Sequence, residues 1–295
     1  MPNDSNISIS CVKPYDFALS LRVIRSFQQN IPNQALVLAA KIEGHPAIIK
    51  VTGHNGKKGD LKASSRPAEN NDRVRAIVEW VLFADLDLSP FYRLVSGNSK
   101  LAPVIQRLHG LKPMRPVSLF EMAVIAITEQ QLSLASAYKI RERIVKRYGE
   151  SIGDQWVFPE PDALASTSLA ELRSCGLSKQ KAEYIQDIAA KVVTGSLDLD
   201  SLKLMDDDQA RETLMSLRGF GRWSADYILV RGLARPDCIP IDDLGIRDVV
   251  GKYLGKGQRI TSQEVAEKLE RFRPYRGLLA FYLLADNRLN SLDGN

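Results

Sequence analysis

The sequence predicts an α+β fold, with a small antiparallel-sheet domain over residues 1–88 followed by an all-α region over residues 89–295. Two observations carry this reading. Apolar and polar residues alternate with a period of two, broken by turn signals, only in the first part of the chain. After Asp87-Leu88-Ser89-Pro90 the strand signals vanish, and runs with helical periodicity, several preceded by a serine, take over. A chain of 295 residues, 44% hydrophobic and 25% charged, has room for about two or three cores.

The elements follow in order. Ile7, Ile9 and Cys11 alternate with Ser8, Ser10 and Val12, which predicts a strand from Asn6 to Lys13. Pro14 and Asp16 suit a helix start, and Phe17, Leu19, Leu21, Val23 and Ile24 carry that helix to about Phe27. Strand-like runs Ala35 to Ile42 and Ala47 to Thr52 flank the turn Gly44-His45-Pro46. A second turn at His54-Asn55-Gly56-Lys57 leads into a strand through Leu61 and Ala63. Val74 to Phe83 reads as an amphipathic helix, and Phe91 to Val95 and Leu101 to Leu108 as short helical pieces. Ser118 caps a longer helix through Phe120, Met122, Val124, Ile125 and Ile127. Ser133 to Tyr148 is helical and basic, and its Lys139, Arg141, Arg143, Lys146 and Arg147 read as a solvated face. Pro159 and Pro161 mark a loop. Ser168 to Cys175 is helical, Gly176-Leu177-Ser178 stops and restarts the chain, and Lys179 to Val193 continues it.

Composition narrows the function class modestly. The net charge of +5 and a pI near 9.0 fit a polyanionic partner such as nucleic acid. Cys11, Cys175 and Cys238 lie far apart, without metal or iron–sulfur spacing, which suits a reducing cytosol. The N-terminus lacks a basic and then apolar signal, and no apolar run is long enough to span a membrane. The expectation is a cytoplasmic protein with no membrane association.

The chemistry-bearing stretch runs from Asp207 to Asp243. Leu217-Arg218-Gly219-Phe220-Gly221 forms a glycine turn between two helical runs, and such a turn can leave amide N–H groups facing a phosphate oxygen. A Gly-x-Gly turn alone is as often structural as ligand-binding. Its companions raise the odds: Arg222 and Trp223 open the second helix, Tyr227 follows one turn later, and Pro240-Ile241-Asp242 starts a third helix. Trp223 and Tyr227 share a helix face and could wall a base pocket, although an isolated pair of this kind is more often core. Asp242, at the head of the helix from Asp243 to Leu254, is the candidate catalytic carboxylate, with an ordinary N-cap as the bland alternative.

Four blocks together resemble the helix-hairpin-helix DNA glycosylases of the AlkA type, the DNA-3-methyladenine glycosylase II branch. They are LRGFGRWSADYILVRGL with IPIDDLGIR, FEMAVIAITEQQLSLASA, GLSKQKAEYIQDIA and RFRPYRGLLAFYLL; the opening KPYDF is also similar. The resemblance implies a TATA-binding-protein-like sheet domain before two helical subdomains, with the hairpin at about 207–232 and a catalytic loop at 236–243. It implies a monomeric DNA repair enzyme of the cytoplasm or nucleoid that binds double-stranded DNA with damaged bases. Such an enzyme flips out alkylated bases such as 3-methyladenine and 7-methylguanine and hydrolyses their N-glycosidic bonds.

The resemblance also distributes roles over residues. Asp242 is the catalytic residue, and Trp223, Tyr227, Gln130, Leu284 and Arg288 form the base pocket. Gln131, Leu132, Ser133, Gly219, Gly221 and Arg222 contact DNA, with Gln131 or Leu132 as the wedge. No cofactor is required, but a monovalent cation on the carbonyls of Met215, Leu217 and Phe220 is implied at the hairpin. Asp243 reads as a helix-start residue. Related glycosylase/lyases have lysine where Trp223 stands, so a Schiff base lacks its nucleophile here. The alternatives are a non-catalytic helix-hairpin-helix DNA-binding protein and an 8-oxoguanine glycosylase/lyase.

Overall fold

Alternating side chains build the first layer. The computed structural model describes residues 5–27, 35–53 and 60–294. Strands β1 (Ser5–Ser10), β2 (Ala35–Ile42), β3 (His45–Gly53) and β4 (Asp60–Arg66) form an antiparallel sheet in the order β1-β4-β3-β2. The register places Ile9 opposite Leu61 and Val51 opposite Ala63, so these buried side chains share one face. Helices α1 (Phe17–Phe27) and α2 (Asn71–Leu82) cover that face with Phe17, Leu21, Val74, Val78 and Val81. The turn expected at residues 54–57 lies outside the described residues.

The rest is helical: α3 (Ser89–Val95), α4 (Ala102–Arg107), α5 (Leu119–Glu129), α6 (Leu134–Tyr148), α7 (Pro161–Ala165), α8 (Leu169–Ser174), α9 (Lys179–Val193), α10 (Asp207–Met215), α11 (Arg222–Arg231), α12 (Leu244–Leu254), α13 (Ser262–Leu269) and α14 (Arg276–Asp293). Two differences from the sequence reading appear. Pro161 is the first residue of α7 rather than loop, which suits its fixed φ and missing N–H. A two-residue ladder, Ser151–Ile152 against Gln155–Trp156, turns through Gly153 at φ +60° and is too short to leave a periodic signal.

The helices bury two clusters. In one, α5 is buried from Leu119 to Thr128 except at Glu121, which is partly so, and it packs against α9 and α11. In the other, α14 packs against α1, α4 and α12, with Tyr282 and Leu279 fully buried. Lys112, itself buried, ties the segment before α5 to the end of α2 by donating to the carbonyls of Phe83 and Ala84 at 3.2 and 3.1 Å. Desolvation lowers its pKa to about 8. A cleft of about 1190 Å³ is lined by both helical clusters, with α5, α6 and α11 on one side and α1, α12 and α14 on the other.

Candidate active site

The hairpin joins α10 to α11. Asp206 starts α10 with a capping box to Gln209. Gly219 adopts φ +91°, and a Cβ there would meet the Tyr184 ring at 2.3 Å, so both its backbone and its neighbour require glycine. Gly221 is different: it N-caps α11 at φ −101° with no side-chain cap, and a Cβ would meet nothing within 4 Å. Open space therefore lies before the first amides of α11. The hairpin is clamped from beneath by Asp226, 1% exposed, which accepts from Arg211 Nε at 2.7 Å and from Arg222 Nε at 3.0 Å. Arg222, expected to contact DNA, thus folds its guanidinium back along its own helix while the side chain stays 61% exposed.

Trp223 and Tyr227 stack, with ring centroids 5.0 Å apart and planes inclined by 19°, and both line the cleft. Trp223 Nε1 donates to Asp243 Oδ2 at 3.1 Å, and the other Asp243 oxygen accepts from the Ile246 amide at 3.1 Å. Asp243 is therefore the N-cap of α12, and the sequence reading set the head of this helix one residue early. The cause is the turn at Pro240, closed by a hydrogen bond from Asp243 N to Pro240 O at 2.9 Å, which delays the helix start. Asp242 lies in the turn, exposed, and accepts from Ser262 Oγ of α13 at 2.6 Å. Both carboxylates border the cleft, but the hydrogen bond to the aromatic wall is made by Asp243.

The turn between α5 and α6 also borders the cleft. Gln130 spends its amide donors on Gly219 O (2.8 Å) and Ser224 Oγ (3.0 Å), so it braces the hairpin rather than standing free for a base. Gln131 sits at φ +53°, a left-handed conformation, and is exposed. Leu132 and Leu134 are 42% and 51% exposed at the cleft, and Ser133 N-caps α6 by accepting from Ser136 N at 3.2 Å. Leu284 lines the cleft as expected. Arg288 does not: its Nε donates to the carbonyl of Ser26 at 2.9 Å, in the last turn of α1. One turn along α14 is enough to carry a long side chain away from the cleft and onto an end-of-helix carbonyl. Of the carbonyls implied for a cation, Met215 ends α10, while Leu217 O accepts from Phe220 N at 3.1 Å.

A buried polar group escaped the sequence reading. Glu129 and Arg141, with side chains 8% and 14% exposed, pair at 2.8 Å, and the Tyr227 hydroxyl donates to Glu129 at 2.7 Å. A signal for it existed. Glu129 falls on the face of α5 shared by Met122 and Ile125, both buried, and a carboxylate there requires partners. Arg141 is accordingly turned inward, not part of a solvated face.

Comparison with known proteins decides the family. The family described as "HhH-GPD superfamily base excision DNA repair protein" matches residues 124–274, which contain the hairpin, the aromatic wall and both aspartates. The chain belongs to the HhH-GPD superfamily. A DNA-3-methyladenine glycosylase of Bacillus subtilis is 31% identical over 262 residues, covering 86% of each chain. The DNA-3-methyladenine glycosylase 2 of Escherichia coli is 30% identical over 59% of this chain and 60% of its own. Among solved structures, a 3-methyladenine DNA glycosylase from Archaeoglobus fulgidus superposes with a TM-score of 0.83 at 26% identity, covering 97% of this chain and 99% of that one. An 8-oxoguanine glycosylase/lyase from Clostridium acetobutylicum, solved with double-stranded DNA, shares the fold at a TM-score of 0.77 but only 16% identity. The HhH-GPD assignment makes this a base excision DNA repair protein with DNA glycosylases as relatives. No helix of the described residues is long and apolar enough to cross a membrane.

Proposed function

We propose that this HhH-GPD protein is a monofunctional N-glycosylase for cationic alkylated bases in double-stranded DNA, acting as a monomer, with Asp243 as the catalytic carboxylate. The observation that carries the reading is the Trp223–Asp243 hydrogen bond at 3.1 Å. It joins a carboxylate to the stacked aromatic wall of one cleft. The family resemblance assigns catalysis to Asp242, whose carboxylate accepts from Ser262.

The hairpin amides near Gly219 and Gly221 hold a backbone phosphate without reading sequence. Leu132, exposed beside Gln131, wedges into the stack while the target nucleotide turns into the cleft. A base such as 3-methyladenine or 7-methylguanine carries positive charge, which the faces of Trp223 and Tyr227 attract. As the C1′–N bond breaks, its electron pair leaves with the base, and positive charge moves to the sugar. The Asp243 carboxylate, oriented by hydrogen bonds from the Ile246 amide and the Trp223 indole, stabilises that charge. Water then adds at C1′ and loses its proton, leaving an abasic site. No step requires a cofactor. A monovalent cation, if bound by the carbonyl oxygens of Met215, Leu217 and Phe220, would add positive charge to the phosphate grip; an all-oxygen donor set suits a hard cation.

The test is release of 3-methyladenine and 7-methylguanine from methylated duplex DNA by wild type, Asp243→Asn and Asp242→Asn. Asp243→Asn is expected to lose roughly 10²–10³-fold in rate, the scale for one electrostatic stabiliser, while Asp242→Asn stays close to wild type. Undiminished release by Asp243→Asn would remove it from the chemistry. Borohydride trapping of a covalent protein–DNA complex would overturn the monofunctional reading.

A further inference from the structure

The cleft holds a polar cluster whose hydrogen bonds the mechanism above leaves unused. Glu129 ends α5, Arg141 lies on α6, and Tyr227 and Arg231 lie one turn apart on α11; all four line the cleft. The Tyr227 hydroxyl donates its single proton to Glu129 Oε2 at 2.7 Å, and the same hydroxyl oxygen accepts from Arg231 at 3.2 Å. Glu129 Oε1 is held in turn by Arg141 at 2.8 Å, and Arg141 also donates to Thr128 Oγ1 at 3.2 Å.

Donor and acceptor arithmetic gives this arrangement a consequence. A phenol has one proton, and here Glu129 takes it. Tyr227 therefore has no donor to offer a base, and shows the cleft its ring. The same hydrogen bond fixes that ring against Trp223 at 5.0 Å, and Trp223 in turn reaches Asp243 at 3.1 Å. Hydrogen bonds to a charged acceptor in a desolvated wall are stronger than neutral ones, so the anchor is stiff. Desolvation first, and the neighbouring carboxylate after it, holds the phenol well above its usual pKa, so the donor is present at all physiological pH.

We propose that Glu129 is a positioning residue: by accepting the Tyr227 proton it locks the aromatic wall so that Tyr227 meets a flipped base through its ring face alone and Trp223 keeps Asp243 aimed. This rests on the glycosylase reading above. It assigns a task to a carboxylate that neither touches the sugar nor grips DNA.

The test is a double-mutant cycle with single-turnover release of 7-methylguanine and, separately, affinity for undamaged duplex. Glu129→Ala is expected to slow release about tenfold, the order for losing one hydrogen bond to a charged group, with duplex affinity unchanged. Glu129→Gln keeps one oxygen that can still accept the phenol proton, while its amide faces Arg141, so it is expected to recover part of the rate. Tyr227→Phe keeps the ring and loses the anchor, so it should match Glu129→Ala, and the double variant should be no slower than either. Multiplying losses in the double variant would overturn the proposal, as would wild-type rates in Glu129→Ala. A Gln variant as slow as Ala would also overturn it, because the carboxylate would then act on the cationic base by charge. Loss of duplex affinity in step with rate would overturn it too, as a mere folding defect. A second readout separates the two readings: saturable quenching of indole emission by free 3-methyladenine, taken as the difference from Trp223→Phe. A wild type that quenches but releases no base would end the glycosylase reading alone. Unchanged quenching in Glu129→Ala would end the positioning role.

Discussion

The two hairpin glycines make different demands, and substituting each by alanine separates them. In Gly219→Ala the new methyl group must sit at φ +91° and 2.3 Å from the Tyr184 ring. The left-handed backbone costs about 1–2 kcal/mol for a residue with a Cβ. The overlap, far inside ordinary van der Waals contact, adds about 1–3 kcal/mol as the ring or the turn shifts. Together these give about 2–5 kcal/mol. At about 2 °C per kcal/mol for a chain of this size, the melting temperature should fall by about 4–10 °C. In Gly221→Ala the methyl group meets nothing within 4 Å at φ −101°, and an alanine N-cap costs about 1 kcal/mol or less relative to glycine. That methyl group stands in the open space before the first amides of α11, where the proposed phosphate approaches. Melting scans and duplex titrations on both variants make the assay. Gly221→Ala should melt within about 2 °C of wild type and yet bind duplex DNA several-fold more weakly. A Gly219→Ala protein that melts with wild type would refute the steric reasoning. A Gly221→Ala protein with full duplex affinity would refute the amide grip.

Three further outcomes follow from the geometry. Asp226→Ala takes the buried carboxylate from Arg211, 14% exposed, leaving it the exposed Asp208, and should destabilise the protein by about 1.5–3 kcal/mol in urea titration. Glu121 has its pKa raised to about 7, by burial above all, so the folded protein binds its proton more tightly than the unfolded chain. That contribution is complete below pH about 4.5 and is lost as pH rises through about 7, at most about 3 kcal/mol; Glu121→Gln should flatten melting temperature against pH over this window. Arg288→Ala removes a tie from α14 to Ser26, so it should lower thermal stability slightly and leave the relative release of different lesions as in wild type; a changed lesion preference would return Arg288 to the base pocket.

What the sequence made legible was what is local. Ser118, Ser133, Ser168 and Ser178 each cap the helix expected after them, because a cap is a contact between residues three apart. The Trp223–Tyr227 stack was readable for the same reason, being one helical turn. The family's hairpin was legible from its glycines and from the aromatics beside it. The misses are long-range or depend on one dihedral. Glu129 meets Tyr227 across 98 positions, and no periodicity reports such a pair. Arg288 reaches back to Ser26 across 262 positions. The start of α12 at Asp243 turned on a single hydrogen bond to Pro240, which a string of letters leaves undetermined.

The Gln130 brace has a wider meaning. Its side chain donates to the carbonyl of Gly219, while Lys181 grips its backbone carbonyl at 2.6 Å and that of Thr128 at 3.1 Å. The loop carrying Leu132 and the loop carrying the glycines are therefore tied together. In the proposed complex this makes a fixed caliper: once the hairpin seats on a phosphate, the span to the wedge is set by protein geometry. Search along the duplex then needs no measurement at each step, because the grip and the probe advance together and only the base between them is free to yield.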